Sequence, residues 1–168
     1  MDRFFIGFFL ISFLALCIYK FIQGVIEAVR GPELKLNSSY PKLVQEVVYY
    51  CGPILKAQNI RFFPKYEVSY FKSKKRLGCY YSGQKKIVIY IKSHDGDESQ
   101  KIRDIIHTTL HEVRHNIQHL RDPDFKNYDT YSKKLTYQKN PFEIDSNAFA
   151  DKELDGCIQY LKSKGILA

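Results

Sequence analysis

Four histidines fall four residues apart, at His107, His111, His115 and His119, within a stretch that also carries Ile102, Ile106, Leu110, Val113, Ile117 and Leu120 at three- and four-residue steps. Only an α-helix turns that spacing into one apolar stripe, so the pattern predicts a helix over 97–121. Asp97 with Gln100 opens it as a capping box and Pro123 closes it. The central pair frames His111-Glu112-Val113-Arg114-His115, an H-E-x-x-H pattern of which roughly 0.007 copies are expected by chance in a chain of this composition. On a helix, residues i and i+4 leave one face a turn apart. Two imidazoles so placed can converge on one ion at about 2.0–2.1 Å, with the intervening Glu112 close enough to a metal-bound water to take its proton. The helical wheel sets His111 and His115 opposite the apolar stripe, facing something other than the partner on which that stripe packs. His107 and His119 read as helix-face or supporting histidines.

Two imidazoles and a base do not hold zinc firmly, so a third protein ligand has to come from elsewhere. His119 lies eight residues beyond His111, about 12 Å of helix axis, and no glycine follows His115 to break the helix. Asn140-Pro141 starts a last helix that runs to about Ser163, with Gly165 beyond its end. Its first turns carry Glu143 and Asp145. On that helix's wheel Glu143 falls with Asn147, Ala150, Leu154, Cys157, Ile158 and Leu161, whereas Asp145 points away. A carboxylate on a core-facing stripe needs a charge partner, and a metal would supply one. Asn140 with Glu143 is also a capping box, which would account for the glutamate without any metal. Both carboxylates stand as candidates. Tyr128, Tyr131, Tyr137 and His119 are candidate stabilisers of an oxyanion.

The rest of the chain supplies a scaffold for such a helix. Residues 66–71, 77–81 and 85–91 are rich in β-branched and aromatic side chains, with Ser82-Gly83 as a turn between the last two, and predict a small antiparallel sheet. Pro41 opens an earlier helix bearing Leu43, Val44, Val47, Val48 and Cys51, which stops around Gly52-Pro53. The fold class is therefore α+β. With 168 residues, 45% hydrophobic and 26% charged, the chain suits one compact domain with a real core, which excludes disordered, collagen-like and coiled-coil readings.

The N-terminus stands apart. From Phe4 to Tyr19 sixteen residues carry no charge, and counting past Lys20 to Ile22 gives nineteen, roughly 28 Å of helix and close to the hydrocarbon thickness of a bilayer. Residues 1–30 are read as a transmembrane anchor, with a cleaved signal as the competing reading, 31–41 as a tether and 42–168 as the domain. Leu14-Ala15-Leu16-Cys17 resembles a lipoprotein box, except that bulky Leu16 precedes the cysteine. Lys20, Arg30, Lys35 and Lys42 follow the segment, which favours a cytoplasmic domain by the positive-inside rule. The unpaired Cys51, Cys79 and Cys157 agree with a reducing compartment, and no CxxC pair exists for a cysteine-based zinc site.

Charge is uneven. Of a net +8 for the chain, all of it lies between Arg61 and Lys92, where nine basic residues meet one acid, Glu67. Lysines at strand edges block edge-to-edge association. A basic hairpin face could also lie on anionic lipid. Nucleic acid is the third option, with tyrosines to stack bases, but no recognisable nucleic-acid module surrounds them.

A small sheet with the strand 85–91, a helix with His111-Glu112-x-x-His115, and then residues 143–150 (EIDSNAFA) together resemble the compact zincin metallopeptidases of gluzincin type, in particular the ImmA/IrrE-like group with its ExEANxFA-like segment. The resemblance spans roughly residues 60–155. It implies Zn2+ as cofactor, His111, His115 and Glu143 as its ligands, Glu112 as catalytic base, Asn147 as a supporting group, and a protein or peptide substrate. Asp145-Ser146 stand where Glu-Ala is usual in that group, and a helix-turn-helix module is absent from the sequence. The expectation is a membrane-anchored zinc peptidase. The alternative is an inactive module of the same shape that binds a protein partner or anionic membrane through its basic hairpin.

Overall fold

The computed structural model describes residues 13–22, 25 and 33–168. Two units separate at Glu33 and Leu34. In the first, residues 13–22 are helical and exposed. No helix among the described residues is long and apolar enough to cross a membrane, and the expected anchor from Phe4 to Ile22 lies in part outside them.

The second unit is built on α+β lines. Helix α1 (Tyr40–Tyr50) begins at Ser39, whose hydroxyl accepts from the Lys42 N–H, and buries Leu43, Val44, Val47 and Val48 on one stripe. A short α2 (Gly52–Ala57) follows. Three strands come next, β1 (Lys65–Ser69), β2 (Gly78–Tyr81) and β3 (Lys86–Tyr90), and then α3 (Glu98–Arg121), α4 (Tyr128–Lys134) and α5 (Pro141–Ser163). Asp97 accepts from the Gln100 N–H at the start of α3, as its sequence spacing predicts.

The sheet is not the antiparallel one expected. Its order is β1-β3-β2, with β1 parallel to β3 and β2 antiparallel to it. Burial decides the order. Ile87, Val88 and Ile89 of β3 are all buried, and a run apolar on both faces belongs in the middle. The 70–77 loop therefore steps across the end of β3 so that β3 can enter between its neighbours, and Ser73 is tied there to Ser93. The Ser82-Gly83 turn is a single 3-10 turn closed by Lys85 in the left-handed region at φ 49°.

The 31–41 tether also needs correction. Leu34 is buried, its N–H donates to Ser99 Oγ at 2.8 Å, and Leu36 bridges to Leu167. The short strand-like pairing of this entry segment with the C-terminus makes residues 34–39 part of the globule. At the centre lies α3, packed by α1, the sheet and α5. Its apolar stripe is as expected, but its other side is buried too, by Thr108, Thr109, His111, Glu112, His115, Asn116 and Gln118. Polar side chains so placed need partners, and those partners form the site.

Candidate metal and catalytic site

The first turns of α5 pass the histidine face of α3. Asn140 caps α5 by accepting from the Phe142 N–H, which fixes where Glu143 leaves the helix. Glu143, His111 and His115 are all buried, and one ligand atom from each lies within 4.8 Å of the others. Glu143 Oε2 is 3.1 Å from His111 Nε2, and Oε1 is 3.5 Å from His115 Nε2. Oε2 is nonetheless buried without a hydrogen-bond partner among the described residues. Donor atoms that converge without bonding one another leave room for a shared cation.

The far side of each imidazole is held. His111 Nδ1 meets Asn147 Oδ1 at 3.0 Å, and His115 Nδ1 meets Gln118 Oε1 at 2.8 Å. Gln118 cannot be turned around. Its amide nitrogen donates to the Phe142 carbonyl at 3.0 Å and to Asp145 Oδ2 at 2.7 Å, both acceptors only, so Oε1 must face His115 and receive the Nδ1 proton. His115 therefore offers its Nε2 lone pair to the centre, and Asn147 does the same for His111 through its carbonyl oxygen. Ser146 Oγ lies a further 3.3 Å from His115 Nδ1.

Asp145 is placed differently from Glu143. It forms a two-point pair with Arg114 at 2.7 and 3.2 Å and accepts from Gln118, so it braces His115 from behind instead of facing the histidine pair. Burial raises its pKa, but the Arg114 and Gln118 bonds outweigh that and hold it below its ordinary value. Burial likewise works to raise Glu143, and the closeness of His111, His115 and the Tyr128 hydroxyl overrides it, so its carboxyl stays well below the usual carboxylate range.

Glu112 is the opposite case. Burial is the main cause that pushes its carboxyl up to about 7, with the Glu143 charge adding to the rise and the His111 ring and the Tyr80 backbone N–H opposing it. Its neighbour is β2. A methyl added at Gly78 would lie 2.7 Å from Thr108 Cγ2 and 3.0 Å from Glu112 Cγ, so the strand approaches α3 as closely as it does only because residue 78 is glycine. A carboxyl poised near neutrality can take up and release a proton at ordinary pH.

These groups open onto a cleft of about 980 Å3 between the β2 edge and the α4–α5 region, which Arg76, Gly78, Cys79, His107, Tyr128, Tyr137 and Asn147 help to line. Of the four expected oxyanion stabilisers, Tyr128 and Tyr137 reach the cleft. Tyr128 donates its hydroxyl proton to Glu143 Oε1, and the Tyr137 ring stacks beside His111 at 6.4 Å between centroids. Tyr131 packs on Phe142, and His119 is bonded to Tyr80 Oη at 3.0 Å. His107 pairs with Asp151 at 3.0 Å on the half-exposed end of the helix face. Sequence reading missed Gln118 and Gly78. Gln118 stands three residues after His115, the spacing that puts two side chains on one helix face, and Gly78 is an isolated glycine in a strand pattern. No family model, curated protein or solved structure matches this chain.

Proposed function

We propose that the chain is a metal-dependent peptidase with His111, His115 and Glu143 as the metal ligands and Glu112 as the catalytic base. What carries the reading is the convergence of two oriented imidazoles and a buried carboxylate oxygen that lacks a hydrogen-bond partner among the described residues, with a second buried carboxyl beside them. The donor set, two nitrogens and one carboxylate, suits zinc with one position left open. A bound zinc ion would supply Lewis acidity and lower the pKa of its water toward neutrality. Glu112 accepts the proton of the attacking water and returns it to the leaving amine nitrogen. Tyr128 and Tyr137 stand at the cleft where negative charge develops on the carbonyl oxygen. Asn147 and Gln118 keep the two imidazoles aimed. The apolar segment from Phe4 to Ile22 anchors the enzyme to a membrane. A purely binding module would have no use for a protonatable carboxyl buried at that point.

The test is metal stoichiometry on the purified full chain, measured beside cleavage of an unstructured protein substrate. One zinc per chain is expected in the wild type, with Glu143→Ala losing the ion and Asp145→Ala keeping it at reduced affinity. A wild type that binds no divalent metal, or that cleaves as well after the Glu112→Gln change, overturns the reading.

A further inference from the structure

The loop between β1 and β2 concentrates both charge and exposed apolar surface. Its residues 70–77 cross the end of β3 on a fixed path. The Ser73 N–H donates to Ser93 Oγ at 2.8 Å, Ser93 Oγ donates back to the Ser73 carbonyl at 3.3 Å, and the Arg76 N–H donates to Ser73 Oγ at 3.1 Å. From this frame project Phe71, 85% exposed, Tyr70, 51%, and Leu77, 46%. Lys72, Lys74, Lys75 and Arg76 stand exposed between them. Among the described residues the acid that meets these lysines is Asp95, 3.6 Å from Lys72 and itself in open solvent, where such a pair neutralises little.

A single exposed aromatic on a protein surface is ordinary. Three apolar side chains interleaved with four cations over eight residues is the composition of segments that sit at a bilayer surface, with rings at headgroup depth and Lys or Arg against anionic lipid. The basic stretch from Arg61 to Lys92, read from the sequence as a hairpin face for anionic lipid, contains both this loop and the β2–β3 turn. The loop carries four of these cations, Lys72, Lys74, Lys75 and Arg76, whereas the hairpin turn carries Lys85 and Lys86, the latter engaged with Glu67 at 3.0 Å. Lys75, Arg76 and Leu77 are also part of the cleft rim, so what touches the loop lies next to the cleft.

We propose that the 70–77 loop docks the domain onto an anionic phospholipid surface, with Phe71 at headgroup depth and Lys72, Lys74, Lys75 and Arg76 against lipid phosphates, so that the cleft acts on peptide segments lying close to that surface. The second half of this statement rests on the peptidase reading; the docking itself does not. Nucleic acid would answer to the same four cations, but Leu77 offers no base-stacking face, and the charge-free run from Phe4 to Tyr19, read as a membrane anchor, would bring the domain close to lipid.

The chain contains no tryptophan, so Phe71→Trp and, as a control on the exposed start of α5, Ile144→Trp each give one fluorophore. The full chain is reconstituted into symmetric vesicles containing bromine-labelled phosphatidylcholine, with or without phosphatidylserine, so that either orientation meets the same lipid. The indole of the Phe71→Trp chain is expected to be quenched in the phosphatidylserine vesicles, less so as salt is raised, with that of the Ile144→Trp chain unquenched. Adding Lys72→Gln and Lys74→Gln lowers the docked-to-undocked ratio by about 25-fold, roughly fivefold for each cation. Quenching is expected to persist when metal is chelated. A lipid-tethered peptide is cleaved faster than the same peptide free in solution only in the docked case. A Phe71→Trp chain whose indole is unquenched, is quenched equally without phosphatidylserine, or responds only to an added oligonucleotide overturns docking. Quenching with neither peptide cleaved sustains docking and removes the peptidase reading alone.

Discussion

The two walls of the cleft hold α3 by different means. The sheet wall meets it chiefly by contact: Gly78 brings β2 against Thr108 and Glu112 at a distance no other residue allows. The helical wall reaches it through bonds, with Asp145 on Arg114 and Gln118, Asn147 on His111, and Tyr128 completing Glu143. Close packing removes water from Glu112 and so raises its proton affinity, whereas the polar links aim the imidazoles and keep Glu143 charged. One wall tunes the Glu112 carboxyl and the other aims His111, His115 and Glu143. The same helix serves both because its two sides are buried by partners of opposite chemistry.

That division is open to breakage, most forcibly at Glu112. With Gln in its place, cleavage is expected to fall by about 10²–10⁴ while metal affinity stays within a few-fold; loss of the ion would show that the walls are not separable. The metal-free chain sharpens the point. A carboxyl that titrates near 4.5 unfolded and about 7 folded favours the folded state fully below the lower value, and the advantage is lost as pH rises to the upper one. Above pH ~7 the metal-free Glu112→Gln chain should therefore be more stable than wild type by about 3 kcal/mol, and below pH ~4.5 about equal to it. Chemical denaturation with chelator present at the two extremes of pH measures this.

On the helical wall, Gln118→Ala is expected to weaken zinc binding by about 10–100-fold, read from competition with a coloured chelator, with the pH dependence of cleavage at saturating metal unchanged. On the sheet wall, Gly78→Ala should do the reverse. Overpacking against α3 costs about 1–3 kcal/mol of stability, and the displaced Glu112 lowers kcat without altering zinc affinity. A Gly78 variant that lost metal, or a Gln118 variant with a shifted acid limb, would join what the structure separates.

Much of this arrangement is legible in the residues. The bounds of α3, its Asp97 cap, the histidine pair, and Glu143 on the inward stripe of α5 all follow from helix period and capping, which are local. The two carboxylates can be ranked only in part, because the decision between Glu143 and Asp145 rests on Arg114 and Gln118, residues some 30 positions away that no wheel of α5 contains. Strand order is illegible for a similar reason. Three short runs and one turn signal are compatible with a meander, and only the competition to bury Ile87, Val88 and Ile89 on both faces puts β3 in the middle. Residues 34–39 read as linker because Leu34 and Leu36 find their partners at Ser99 and Leu167, far along the chain.

The smallest effect bears on the one polar side-chain link that β2 sends to α3 among the described residues. Tyr80 Oη donates to Asn116 Oδ1 at 3.1 Å and meets His119 Nδ1 at 3.0 Å. If contact alone makes the sheet wall effective, removing this hydroxyl touches stability and nothing else. Tyr80→Phe keeps the ring, and with it the packing under β2, but leaves Asn116 without one of its bonds where its amide nitrogen is already unpaired among the described residues. The expected cost is about 1 kcal/mol in denaturant unfolding, with zinc affinity and kcat as in wild type. A fall in kcat of tenfold or more would mean that the hydroxyl, and not the close approach at Gly78, holds β2 and its Tyr80 amide against Glu112, and the sheet wall would then work by hydrogen bonding as its opposite does.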